Sequence, residues 1–122
     1  MSFSHSAAEV QARLQTVTRR VGWRFLKAQD LIEAVASEGR EGRGAVRVLA
    51  VLRVTDVRVE PLARLVRDAG YAEDELPREG LPCWSRDHFI AAFLRRHRLK
   101  TPEIDVTRIA FEYVDPPSQD GR

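Results

Sequence analysis

The chain has 122 residues, 43% of them hydrophobic and 31% charged, with a formal net charge of +2. That is the length of one domain with one core, and the balance excludes a disordered, fibrous or disulfide-stapled protein, since Cys83 is the sole cysteine. No apolar run approaches the roughly 20 residues that cross a bilayer, and the opening MSFSHSAAEV has no leader character, so a cytoplasmic protein without membrane association is expected.

Ser6 stands three residues before Glu9 in a capping-box pattern, and the spacing of Val10 and Leu14 predicts a first helix over 7–14. QTVTRRV, 15–21, alternates and is β-branched, so it reads as a strand closed by Gly22 and Trp23. A tight turn at 26–30 leads to a short apolar strand over 31–36. SEGREGRG, 37–44, reads as a hairpin loop.

AVRVLAVLRVTDVRVEPL is the strongest strand signal, with Val46, Val48, Ala50, Leu52 and Val54 on one parity. Its length predicts one bent strand, or two that meet near Thr55 and Asp56. Pro61 is expected to open a short helix that Gly70 stops. Residues 71–84 carry Pro77, Gly80 and Pro82 and read as irregular. Ser85 is expected to cap a helix whose apolar stripe is Phe89, Ile90, Phe93 and Leu94 and whose end, RRHRLK, is cationic. VTRIAFEYV, 106–114, reads as a final strand, and 116–122 as a tail. Strands drawn from both ends of the chain, without strand-helix-strand repeats, indicate an α+β fold around a mainly antiparallel sheet or small barrel.

The chain lacks a glycine-rich phosphate loop, a dinucleotide fingerprint and a Ser-His-Asp pattern. Cys83, His88 and His97 fall outside zinc spacings, so no metal and no cofactor is expected, and Cys83 reads as a small buried hydrophobe. Only Lys27 and Lys100 among the 20 basic residues are lysine. Arginine's planar fork suits phosphate and base edges.

Five ordered segments resemble the ASCH domain family: TVTRRVGW, LKAQDLIEAV, the valine strand ending in VRVEPL, REGLP with the DHFIAAFLRRH helix, and VTRIAFEYV. The resemblance implies one domain over 1–115 with a PUA-like small β-barrel and flanking helices. It further implies a cleft that takes RNA or a modified nucleoside. Some small members of that family are amidohydrolases acting on N4-acylated cytidine. Their lysine, threonine and glutamate fall by position on Gln15, Thr18 and Glu79. Glutamine has no accessible pKa and cannot replace lysine as a base, though it can hydrogen-bond a ligand. Base binding is therefore the expected function, with the amidohydrolase as the alternative.

Strand alternation puts Thr16, Thr18 and Arg20 on one face, and that face is expected to wall the cleft. Gln15 joins it only if the chain bends before the strand. The candidate ligand-binding residues are Gln15, Thr18, Arg20, Trp23, Glu79 and Tyr113, with Arg20 preferred over Arg19 and with Trp84 more expected in the core than in a base stack. Arg95, Arg96, Arg98 and Lys100 form a second, nucleic-acid-facing surface. A ribonuclease is the third reading, without a constellation to support it, because no histidine lies in a segment matched near Thr18 or Glu79. A monomer is expected.

Overall fold

The computed structural model describes residues 1–37 and 44–115. Most of the expected loop at 37–44, and the tail at 116–122, lie outside the described residues. Along the chain come a 3-10 turn (Ser4–Ser6), α1 (Ala7–Gln11), β1 (Val17–Arg20), β2 (Leu31–Ser37), β3 (Val46–Pro61), α2 (Arg64–Arg67), α3 (Ala69–Arg78), α4 (Arg86–Arg96) and β4 (Asp105–Val114). The strands form one antiparallel sheet in the order β1-β4-β3-β2, with β3 and β4 at its centre.

The expected barrel is not closed. β1 is only four residues long, and no pairing joins it to β2 among the described residues. The N-terminal segment instead occupies the free edge of β2. The Phe3 amide donates to the Val35 carbonyl (2.7 Å), and the Val35 amide donates to the Met1 carbonyl (2.9 Å). The sheet nevertheless curls far enough for side chains to bridge the gap. The Phe3 ring stands edge-on to Phe111 at 5.9 Å and carries the Arg20 guanidinium over its face at 4.6 Å. The curl follows from two irregularities: the register of β3 against β4 shifts between Val54 and Asp56, and that of β2 against β3 between Ala34 and Val35. The first of these is the bend expected near Thr55.

Alternation along the strands decides what each sheet face packs against. Ala34, Leu52 and Phe111 form one cluster with Phe3 and Val10, and Leu26, Val54 and Ile109 form a second. Against the other face Val106 joins Leu62, Leu65, Ala72, Leu76, Phe89, Ile90 and Phe93 from the helical layer. Phe93 is almost fully buried there, as the apolar stripe of α4 requires, and Ser85 caps that helix by accepting from the His88 amide (3.1 Å).

The region after Pro61 differs from expectation. α2 spans only Arg64–Arg67, and Gly70 is the second residue of a new helix instead of the end of the old one. Asp68 makes the difference: it caps α3 by accepting from the Tyr71 amide (3.0 Å). Helix α3 then runs through the acidic stretch that reads as irregular, and Pro77 is tolerated in its last turn. There the proline forgoes a single helical bond, to the carbonyl of the exposed Glu73. The Ser6 side chain makes no cap hydrogen bond on α1, so the capping box does not form. Cys83 is exposed, not buried. No helix among the described residues is long and apolar enough to cross a membrane.

Candidate functional site

The α3 terminus sets the site. Glu79 ends the helix and Gly80 follows with φ +82, while the Leu81 amide donates to the Leu76 carbonyl (2.9 Å) and the Gly80 amide to the Pro77 carbonyl (3.0 Å). This is the Schellman arrangement, in which glycine takes the left-handed position. It aims the Glu79 side chain back toward β1. A Cβ on Gly80 would lie 3.1 Å from Glu9 Cβ and 3.3 Å from Gln15 Cβ. Gly80→Ala is therefore expected to cost roughly 1–2 kcal/mol from the left-handed backbone alone, and more from the contacts, read as a lower urea midpoint.

A second turn delivers Gln15. Arg13 sits at φ 58, and the amides of Leu14 and Gln15 both donate to the Glu9 carbonyl (2.8 and 3.4 Å). The chain thus bends between α1 and β1, and Gln15 and Thr18 face the same space despite their odd spacing. That space is a cavity of about 260 Å³. Its walls are the 3-10 turn, β1, the end of α3 and one side of α4.

Gln15 is 3% exposed; its Nε2 donates to the Val17 carbonyl (3.0 Å), which leaves Oε1 buried without a partner. The donor bond fixes which end of the amide is free. Thr18 accepts from Arg20 Nε (3.0 Å). Glu79 accepts from Arg19 Nη1 (2.9 Å) through Oε2. Burial raises its pKa and the nearby Glu75 adds to this, against the pull of Arg19 and Arg20. A carboxyl with a raised pKa in a cavity is suited to proton transfer.

Behind the wall lies an ion-pair network that holds β1 to the helical layer. Arg19 stands directly across from Arg108 in the β1/β4 register, two like charges that would repel in a sheet. Glu75 of α3 accepts from both, taking Arg108 Nη2 at 3.0 Å and also bonding Arg108 Nε and Arg19 Nη2. Arg19 Nη2 further reaches Glu60 (3.3 Å) and the Tyr71 hydroxyl (3.0 Å). Burial alone would lower the Arg19 pKa, yet Glu79, Glu75 and Glu60 raise it. Burial alone would raise that of Glu75, but Arg108 and Arg19 bring it down to about 2. Arg19 Nε is the second buried side-chain atom without a partner among the described residues.

Of the expected ligand-binding residues, Gln15, Thr18, Arg20 and Glu79 line this cavity together. Thr16 is exposed and does not. Trp23 packs instead on the cluster of Leu26, Val54 and Ile109, beside Phe25 at 5.5 Å. The Tyr113 hydroxyl donates to the Gln15 carbonyl (2.7 Å), so it touches the site through the backbone only. Arg95, Arg98 and Lys100 are exposed outside the cavity, whereas Arg96 lines it.

Sequence reasoning missed several walls. Arg19, passed over in favour of Arg20, also lines the cavity, as do His5, Trp84, Phe93 and His97. His97 follows Phe93 by four residues and stacks on it at 4.4 Å, so extending the α4 stripe by one turn would have found it. His5 carries no such signal, because the contact of the N-terminal turn with β1 is purely tertiary.

No protein-family model and no curated protein matches the chain. Solved structures do. Protein EF3133 from Enterococcus faecalis V583, of the family DUF984, aligns with TM-score 0.58 at 21% identity over 92% of this chain and 71% of that one. The hypothetical protein PH0355 aligns with TM-score 0.60 at 14% identity over 93% and 100%. An ASCH domain from Lactobacillus crispatus JV V101 gives TM-score 0.58 at 12% identity over 89% and 70%. At these identities the likeness defines the fold: this is an ASCH-type, PUA-like α+β fold, built here on an open four-stranded antiparallel sheet.

Proposed function

We propose that this protein binds a nucleobase-containing ligand, RNA-derived or a free modified nucleoside, in the cavity between β1 and α4. The observation that carries the reading is the pair of unsatisfied buried atoms, Gln15 Oε1 and Arg19 Nε, on residues of one cavity wall. A buried acceptor and donor left unpaired each cost roughly 1–3 kcal/mol. A nucleobase edge offers a donor and an acceptor in one plane, and Phe93 and Trp84 supply aromatic surface in the same cavity. Cytidine titrated into the protein by calorimetry is expected to bind. Gln15→Leu, close in size, is expected to weaken that binding about tenfold or more while the variant stays folded by urea titration. Equal affinity in the variant would refute the assigned role.

One observation favours hydrolysis as a second reading: Thr18 and a Glu79 of raised pKa share the cavity. In that reading Glu79 takes a proton from water as its oxygen attacks the acyl carbonyl of an N4-acylated cytosine and returns the proton to the N4 amine as the C–N bond breaks, releasing the free cytosine amine and the carboxylic acid. A chromatographic time course of N4-acetylcytidine tests it. Cytidine released by the wild type and not by Glu79→Gln would make the protein an amidohydrolase, whereas no release from either leaves it a binder.

A further inference from the structure

The cavity carries a second chemical character that base recognition leaves unused. Arg20, Arg96, His5 and His97 all line it, from three separate parts of the chain. Arg20 spends Nε on Thr18 and packs flat on Phe3, and neither it nor Arg96 forms an ion pair among the described residues. Elsewhere in this protein arginines are commonly paired: Arg19, Arg108, Arg53, Arg67 and Arg13 each have a carboxylate within salt-bridge reach. The sole carboxylate lining the cavity is Glu79, and its Oε2 already belongs to Arg19.

The crowding is visible in the groups themselves. Burial lowers the Arg20 pKa to about 10, with Glu79 opposing and Arg96 reinforcing the shift. Burial, then Arg96, Arg20 and His97, bring His5 down to about 4. His97 moves the same way through burial, Arg96 and Arg20. A fold that gathers these groups and supplies no matching anion gains most when a ligand brings one.

Resting on the nucleobase reading, we infer that the ligand is phosphorylated, its phosphate seated between Arg20 and Arg96 with the imidazoles of His5 and His97 beside it. Guanidinium pairs suit phosphate because they offer several N–H donors in a plane. The imidazoles add one N–H donor each in the neutral form and take up a proton once the anion is present. Gln15 and Arg19 then hold the base, and the phosphate lies toward the α4 side of the cavity. The phosphate belongs either to a free nucleotide or to a strand.

Calorimetric titration of four probes at constant ionic strength tests this: cytidine, cytidine 5′-monophosphate, ribose 5-phosphate and a cytidine tetranucleotide. The monophosphate is expected to bind about tenfold or more tightly than cytidine. That ratio is expected to fall toward one in Arg96→Gln and to persist in Lys27→Gln, an exposed charge-matched change outside the cavity. A tetranucleotide tighter than the monophosphate would assign the phosphate to a strand, and the reverse order to a free nucleotide; both uphold the subsite. Ribose 5-phosphate matching the monophosphate, with the same dependence on Arg96, would uphold the anion subsite and remove the nucleobase reading. Cytidine binding as tightly as its monophosphate, an unchanged ratio in Arg96→Gln, or no binding of any phosphorylated probe would overturn it.

Discussion

Glu75→Ala is expected to destabilise the protein by roughly 3–5 kcal/mol, a large part of the stability of a domain this size. Glu75 is 1% exposed and accepts from two arginines that face each other across β1 and β4. Removing it leaves Arg19 and Arg108 as facing buried like charges, Arg19 with Glu60, Glu79 and the Tyr71 hydroxyl and Arg108 with Asp56. It also opens a void under α3, leaving the Tyr71 hydroxyl, bonded to Arg19, Arg58 and Glu60, as that helix's main side-chain polar tie to the sheet. The control lies on the same sheet: Arg53 and Glu112 make a cross-strand pair at 3.0 Å with both side chains well exposed. Breaking that pair with Arg53→Ala is expected to shift stability by no more than about 1 kcal/mol, because water and salt already screen it. Urea unfolding of both variants reads the contrast. Equal midpoints for Glu75→Ala and the wild type would mean that Glu75 contributes nothing net and that Leu76, Ala72 and the Tyr71 hydrogen bonds suffice to hold α3.

The same residue shows why some of this protein is readable in its sequence and some is not. The strands were legible because alternation is local: β1, β2, β3 with its bend, and β4 all lie where parity and β-branching put them. α4 was legible because a cap, a stripe and a cationic end agree. α3 was not, because glycine and proline are read as punctuation, and the facts that override them are tertiary. Glu75 and Leu76 gain their burial only from the layer α3 packs against, so an acidic run with Pro77 looks solvated until the sheet is present. Closure of the barrel was over-read for a related reason. Whether β1 meets β2 depends on the length of a four-residue strand and on the N-terminal segment taking the β2 edge, neither of which a pattern encodes.

The site divides along the same line. Thr18 and Arg20 follow from strand parity, and Glu79 and Gln15 from resemblance, yet Gln15 reaches the cavity only through the left-handed turn at Arg13. The preference for Arg20 over Arg19 treats the two as alternatives, whereas Arg19 sits among Glu60, Glu75 and Glu79 and Arg20 against Thr18 and Phe3. His5 and His97 come together across 92 residues of chain, and their joint presence beside Thr18 supplies a constellation that the ribonuclease reading lacked in sequence. Among the described residues no hydrogen bond orients either imidazole for acid or base work, and the anion subsite proposed above needs none.

Acidification is expected to unfold the protein in two stages whose signs follow from the shifted groups. The Glu75 carboxylate titrates at about 2 when folded, against 4.5 as its ordinary value. Its contribution is fully present above the unfolded value and is lost as pH falls toward the folded one. His5 moves the other way in charge and the same way in stability. Its folded pKa of about 4 lies below the ordinary 6.5, so between those values the unfolded chain binds the proton first and stability falls with pH. His97, also lowered, adds to that upper stage. Glu79 opposes both, since a raised carboxyl pKa makes the folded state the better proton acceptor just above the ordinary carboxylate range. The urea midpoint should therefore decline gently from pH 7 to about 5 and steeply below about 4. His5→Asn should flatten the first stage and Glu75→Gln the second, each from a lower starting stability in the case of Glu75. A bound phosphate ester adds a distinct signature, because it raises the imidazole pKa values toward their ordinary range and so removes the upper stage without touching the lower. A midpoint that stays level from pH 7 to pH 3 would show that neither the cavity histidines nor the Glu75 network differs between the folded and unfolded chain, and the electrostatic account of how β1 and β4 are held to α3 would fail with it.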